Sequence, residues 1–166
     1  MVKVMFGDAA SRAAALTALF ENKIFISTVL SLCSAQALKV IVYVIHNRRK
    51  KMQELAEILM WRTGGMPSSH AAVVSSLVTS VAFVEGIASN LFIFSFWFAL
   101  VVLRDAMGVR RSAGLMAKAL NDLGKQAAEK TGLDFRQVKE IQGHTPLEVV
   151  VGTLLGVSIA VGLFLL

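Results

Sequence analysis

Polar and apolar positions in this 166-residue chain separate into long blocks rather than alternating. Four apolar blocks, at 24–45, 71–85, 90–103 and 147–166, reach or approach the ~20 residues that carry a helix across a hydrocarbon layer of about 30 Å. Glu148 is the one charge in the last block and Lys39 the one charge in the first. The two middle blocks are short for complete spans. Glu85–Asn90 between them, with Gly86 inside it, predicts a tight turn joining antiparallel helices whose ends run into the interface. The pattern predicts one all-α domain over 1–166, an integral membrane bundle of four or five transmembrane helices.

Two polar segments, 46–69 and 104–145, separate these blocks. The first holds five basic residues (Arg48, Arg49, Lys50, Lys51, Arg62) and the second holds eight, whereas the turn around Glu85 has none. By the excess of Lys and Arg on the inner side of a membrane, both long loops face the cytoplasm, with both termini and the Glu85 turn outside. Within the second loop Leu115, Met116, Leu120, Leu123 and Ala127 recur at helical spacing, with Lys118, Asp122 and Lys125 between them. This predicts an amphipathic helix, lying on the bundle or on the membrane surface and ended by Gly132. Residues 1–20 are expected to form a similar interfacial helix. No internal repeat or low-complexity tract is present.

Composition agrees with this pattern. With 55% hydrophobic and 17% charged residues, mean hydropathy of +0.66 and two prolines, the chain is neither disordered nor an ordinary soluble domain. The net charge of +6 is accounted for by the cytoplasmic loops, which removes the need for a nucleic-acid partner. A lone Cys33 excludes an intrachain disulfide or a cysteine zinc site and is read as a packing residue. Asp8 and Arg12 break the N-terminal apolar pattern, and the segment does not resemble a cleaved signal peptide. The expected setting is a multi-pass protein of a bacterial plasma membrane, or of an organelle membrane in a eukaryote.

Candidate chemistry collects at two helix starts on the same side. One block opens with Gly64-Gly65-Met66-Pro67-Ser68-Ser69-His70 and another with Gly143-His144-Thr145-Pro146-Leu147-Glu148. A helix N-terminus offers unpaired N–H groups and the positive end of the macrodipole, so two of them can face one anion such as phosphate. Ser68 or Ser69 serves either as a cap or as a hydroxyl donor to that anion. Thr145, Pro146 and Glu148 fit a capping box, a role compatible with a catalytic one for Glu148. Lys39 lies about 9 Å along its helix from Ile45, either as a site residue or as a lysine reaching back to the interface. Arg62, Arg104, Arg110 and Arg111 are cations that neutralise a bound anion or anchor topology, with Asp105 among them.

The segments Gly64–His70, Asp105-Ala106-Met107-Gly108-Val109-Arg110-Arg111 and Gly143–Val149 together resemble the divergent branch of the type 2 phosphatidic acid phosphatase superfamily, which includes lipid phosphate phosphatases and vanadium-dependent haloperoxidases. The resemblance covers the chain from about Ile24 onward. It implies a metal-independent, cofactor-free phosphatase working through a phosphohistidine. His144 would attack phosphorus, Glu148 would orient it and His70 would protonate the leaving group. Ser68, Ser69, Lys39, Arg62, Arg110 and Arg111 would hold phosphate, with Asp105, Gly64 and Gly65 in support. The chain departs from the family pattern in four places. His46 stands seven residues after Lys39 where an arginine is usual, and Val138 stands where an arginine precedes the nucleophile. Ser69 replaces glycine, and Glu148 replaces aspartate.

Two function classes follow. The first is an integral membrane phosphatase acting on a phosphomonoester or diphosphate of a phospholipid or isoprenoid. The alternative is a degenerate homologue that binds anionic lipid or a membrane partner without hydrolysis. Membrane lipids are the expected surroundings, and a homodimer is compatible with either reading. A small transporter fits less well, because no repeat is detectable.

Overall fold

The computed structural model describes residues 9–46, 65–140 and 143–166. Arg48, Arg49, Lys50, Lys51, Arg62 and Gly64 lie outside the described residues. The described chain forms α1 (Ala9–Glu21), α2 (Lys23–His46), α3 (Ser69–Glu85), α4 (Asn90–Met107), α5 (Val109–Thr131) and α6 (Pro146–Leu165). The helix boundaries follow local chemistry. The Asn22 side chain accepts hydrogen bonds from the N–H groups of Ile24 and Phe25. Ser89 caps α4 by accepting from the Phe92 N–H at 3.1 Å. Gly132 ends α5 in the left-handed region, at φ 71°, where a residue with a Cβ is strained.

α2 and α6, of 24 and 20 residues, and the segment that begins with α4 are long and apolar enough to cross a membrane. α3 is apolar but has 17 residues. It is the central helix, packed against α2, α4 and α6. Large apolar side chains point away from the bundle: Phe94, Trp97 and Val101 on α4 and Leu154 on α6 are all more than 60% exposed. Such a surface requires lipid as its solvent. Cys33, expected to pack within the bundle, is instead exposed on α2. The N-terminal helix is present as α1, and its residues from Arg12 to Glu21 are exposed.

The interior is built from small residues. Ser27, Ser31, Ala35 and Lys39 repeat every fourth position on the buried face of α2, and Ser69, Ala72, Ser76 and Ser80 line the facing side of α3. Lipid gives apolar side chains no reason to turn inward, so helices associate where backbones can approach closely and hydroxyls can pair. Gly152 of α6 lies against the Ser68 carbonyl oxygen, and Gly156 lies against that of Ala72. A Cβ at either position would collide with backbone. Between α2 and α3, the hydroxyls of Ser27 and Ser80 are 2.6 Å apart. Together with the Lys39–Ser69 contact, this pair fixes an antiparallel register.

Candidate functional site

α6 begins with a complete capping box. The Thr145 hydroxyl accepts from the Glu148 N–H at 3.3 Å, and Oε2 of Glu148 accepts from the Thr145 N–H at 3.2 Å. That same Oε2 is 2.9 Å from Nδ1 of His144. One carboxylate therefore closes the capping box foreseen for Glu148 and also lies within hydrogen-bond distance of the imidazole. His144 is only 3% exposed. Its backbone N–H donates to the Ala106 carbonyl at 3.1 Å, which fastens it to the last turn of α4. Gly143 lies directly on the Arg111 backbone and has no room for a Cβ.

The start of α3 abuts the start of α6. The buried Ser68 accepts from the Ala71 N–H through its hydroxyl, at 3.3 Å, and its backbone N–H donates to the Glu148 carbonyl at 2.9 Å. Of the two serines, Ser68 thus caps the helix. Ser69 accepts instead from Lys39 Nζ at 3.1 Å. The rings of His70 and His144 stand 6.1 Å apart between centroids, with planes at 64°. Two helix N-termini, two imidazoles and an ammonium group thus share one end of the bundle.

The arrangement suits an oxyanion. Both helix termini present positive dipole ends, and Lys39 adds a basic side chain beside the first of them. When Nδ1 of His144 donates to Glu148, the lone pair resides on Nε2, and the carboxylate strengthens it as a nucleophile or base. His70 supplies a second proton-carrying group within the same cluster. Among the described residues, no group of three His, Cys, Asp or Glu side chains is placed to hold a metal ion.

Of the residues expected at the site, Lys39, Ser68, Ser69, His70, His144 and Glu148 are brought together. Arg104 and Arg111 are exposed, and Asp105 is half-buried beside Ala106 at the end of α4. Arg110 lies in the first turn of α5, with its side chain outside the described residues, as are Arg62 and Gly64. Gly65 is exposed at φ 86°.

One supporting residue was not foreseen. The buried Asn121 of α5 donates from its amide nitrogen to the Val138 carbonyl and to Glu140 Oε1, at 2.8 and 2.9 Å, while its amide oxygen accepts from the Val138 N–H at 2.8 Å. It fastens to α5 the segment that leads into His144. The available signal was the small residues Gly114, Ala117, Gly124 and Ala128 on its own helix face.

Residues 20–159 match the family model described as the divergent PAP2 family. The chain belongs to this family. A relative, the uncharacterized membrane protein YuiD of Bacillus subtilis (strain 168), is 38% identical over 152 residues, covering 84% of this chain and 92% of that protein. No solved structure matches. The three motif segments all lie within the matched residues, and membership makes the protein a PAP2-like membrane protein.

Proposed function

We propose that this divergent PAP2 protein is a metal-independent phosphatase that hydrolyses a phosphomonoester or diphosphate of a membrane lipid. The observation that carries the proposal is His144, held by Glu148 at 2.9 Å, beside the His70 ring at one end of an apolar bundle. Nε2 of His144 attacks phosphorus, and the P–O bond to the lipid breaks. His70 protonates the leaving oxygen. Water then attacks the phosphohistidine and releases phosphate. Lys39 and the positive dipole ends at the starts of α3 and α6 stabilise charge on the equatorial oxygens. A lipid substrate suits the position of the site, because a headgroup can enter from the interface while its chains remain in the bilayer. The charge distribution of the loops supports a cytoplasmic site in a plasma membrane.

The test is phosphate release by the purified protein from phosphatidate, phosphatidylglycerol phosphate, and isoprenyl mono- and diphosphates in chelator. Vanadate should block the reaction, and His144→Ala should abolish it. Equal release by wild type and His144→Ala on every lipid would overturn the proposal.

A second reading, binding of anionic lipid without hydrolysis, is favoured by the exposure of Arg111, which leaves Lys39 as the buried cation at the described site. Trapping phosphohistidine at position 144 separates the two.

A further inference from the structure

α5 has three faces with three different fates. Gly114, Ala117, Asn121, Gly124 and Ala128 form one face, and each is at least partly buried. The chain's own returning segment covers this face, with the Phe135 ring over Gly124 and Val138 fastened by Asn121. A second face carries Arg111, Lys118, Asp122, Lys125 and Glu129, all exposed. The third carries Val109, Met116, Leu120 and Leu123, a helical repeat of large apolar side chains that are 50–70% exposed. Among the described residues, neither the bundle nor the returning segment occupies this apolar face.

What should cover it follows from where the helix begins. α5 starts one residue after α4 ends, with Gly108 at the break (φ −99°, ψ −82°). Its first turn is therefore level with the end of the membrane bundle. Two contacts hold it there: His144 N–H to the Ala106 carbonyl, and Gly143 on the Arg111 backbone. A helix that starts at this level, with charges on one side and large apolar residues opposite, has the amphipathic pattern that suits the boundary between headgroups and acyl chains. Arg111, Lys118, Lys125 and Lys130 outnumber Asp122 and Glu129, which favours a leaflet of negative surface charge.

We infer that α5 is an interfacial anchor whose Val109–Met116–Leu120–Leu123 face is embedded in an anionic lipid leaflet, beside the end of the bundle that carries His70 and His144. The inference is independent of whether the protein is a catalyst. Lipid contact through α5 would be present in an enzyme and in a binding homologue alike.

The experiment uses full-length protein with Cys33→Ala, carrying single cysteines introduced by Met116→Cys, Leu120→Cys, Leu123→Cys, Lys118→Cys or Lys125→Cys. Each is labelled with an environment-sensitive fluorophore and reconstituted into phosphatidylcholine vesicles with or without phosphatidylglycerol. With phosphatidylglycerol, lipids brominated on the acyl chains should quench labels at 116, 120 and 123 about twofold or more, while iodide in the water quenches those at 118 and 125. Omitting phosphatidylglycerol should weaken the bromine quenching. Equal iodide quenching at all five positions would place the helix in water and overturn the inference. Shielding of 116, 120 and 123 from both quenchers would also overturn it, indicating protein rather than lipid on that face. Bromine quenching unchanged without phosphatidylglycerol would overturn the requirement for anionic lipid.

Discussion

Lys39 Nζ donates a hydrogen bond of 3.1 Å to the Ser69 hydroxyl, joining the only charged position in the apolar block of α2 to the first turn of α3. The lysine is 5% exposed, so its ammonium group turns inward to the two helix starts rather than reaching along the helix to the interface. A buried charge in a span is costly, and it is retained where it does chemistry or binds a ligand.

Lys39→Met should therefore separate function from stability. Vanadate inhibition or protection is expected to weaken by about tenfold or more, since a direct charge on the anion is lost. The melting temperature in detergent should hold or rise, because an apolar side chain of similar length replaces a buried ion. Titration of vanadate against thermal unfolding reads both quantities. A large fall in melting temperature with unchanged vanadate affinity would make Lys39 a purely structural residue.

Glu148 performs two roles that differ in what they require. Capping needs an acceptor at this position, which glutamine also supplies, whereas activation of His144 needs the negative charge. Glu148→Gln should keep the stability of the wild type within about 0.5 kcal/mol and lower phosphate release by about 100-fold. Glu148→Ala should lose activity and also about 1 kcal/mol of stability through the broken cap. Steady-state release and chemical denaturation of the three proteins check the pattern.

Gly156→Val places a branched side chain against the Ala72 carbonyl and the Ser75 hydroxyl at the α3–α6 contact. Overpacking at a close helix crossing should cost about 1–3 kcal/mol or prevent assembly. Gly162→Val, on the same helix but with open space around the glycine, should be tolerated. Melting temperatures and monodispersity in detergent distinguish the two variants.

Asn121→Ala removes all three side-chain hydrogen bonds that fasten Val138 and Glu140 to α5. Its expected cost is about 1 kcal/mol, because water can reach the groups freed at the exposed Val138 and Glu140. The Val138 amide should exchange with deuterium faster, and phosphate release should fall as His144 loses its support. Exchange at Val138 matching the wild type would show that Gly143 and Ala106 hold the segment without Asn121.

The apolar blocks and the presence of capped helix starts before His70 and at Thr145 were legible in the sequence, because each depends on neighbours along the chain. Helix periodicity, capping chemistry and the length of a span are local properties. The pairing of His144 with Glu148, 2.9 Å apart and one helical turn along the chain, was implied by the family resemblance. The inward turn of Lys39 to Ser69 was not legible, nor was the division of labour between Ser68 and Ser69, because both depend on which helix lies across from α2. Cys33 was misplaced on similar grounds: in a span that is apolar all round, composition does not say which side meets lipid. Asn121 on an amphipathic helix resembles any solvated polar residue until the segment around Val138 folds back over it.

Local order along the chain is enough to specify a helical membrane protein with two histidine-bearing helix starts. Bringing those starts together needed contacts between residues distant in sequence: Gly152 and Gly156 let α6 approach α3, the Ser27–Ser80 pair sets the register of α2 against α3, and the Ala106 carbonyl receives His144. These contacts rest on steric fit and on hydroxyls finding partners in lipid, which no single segment encodes alone.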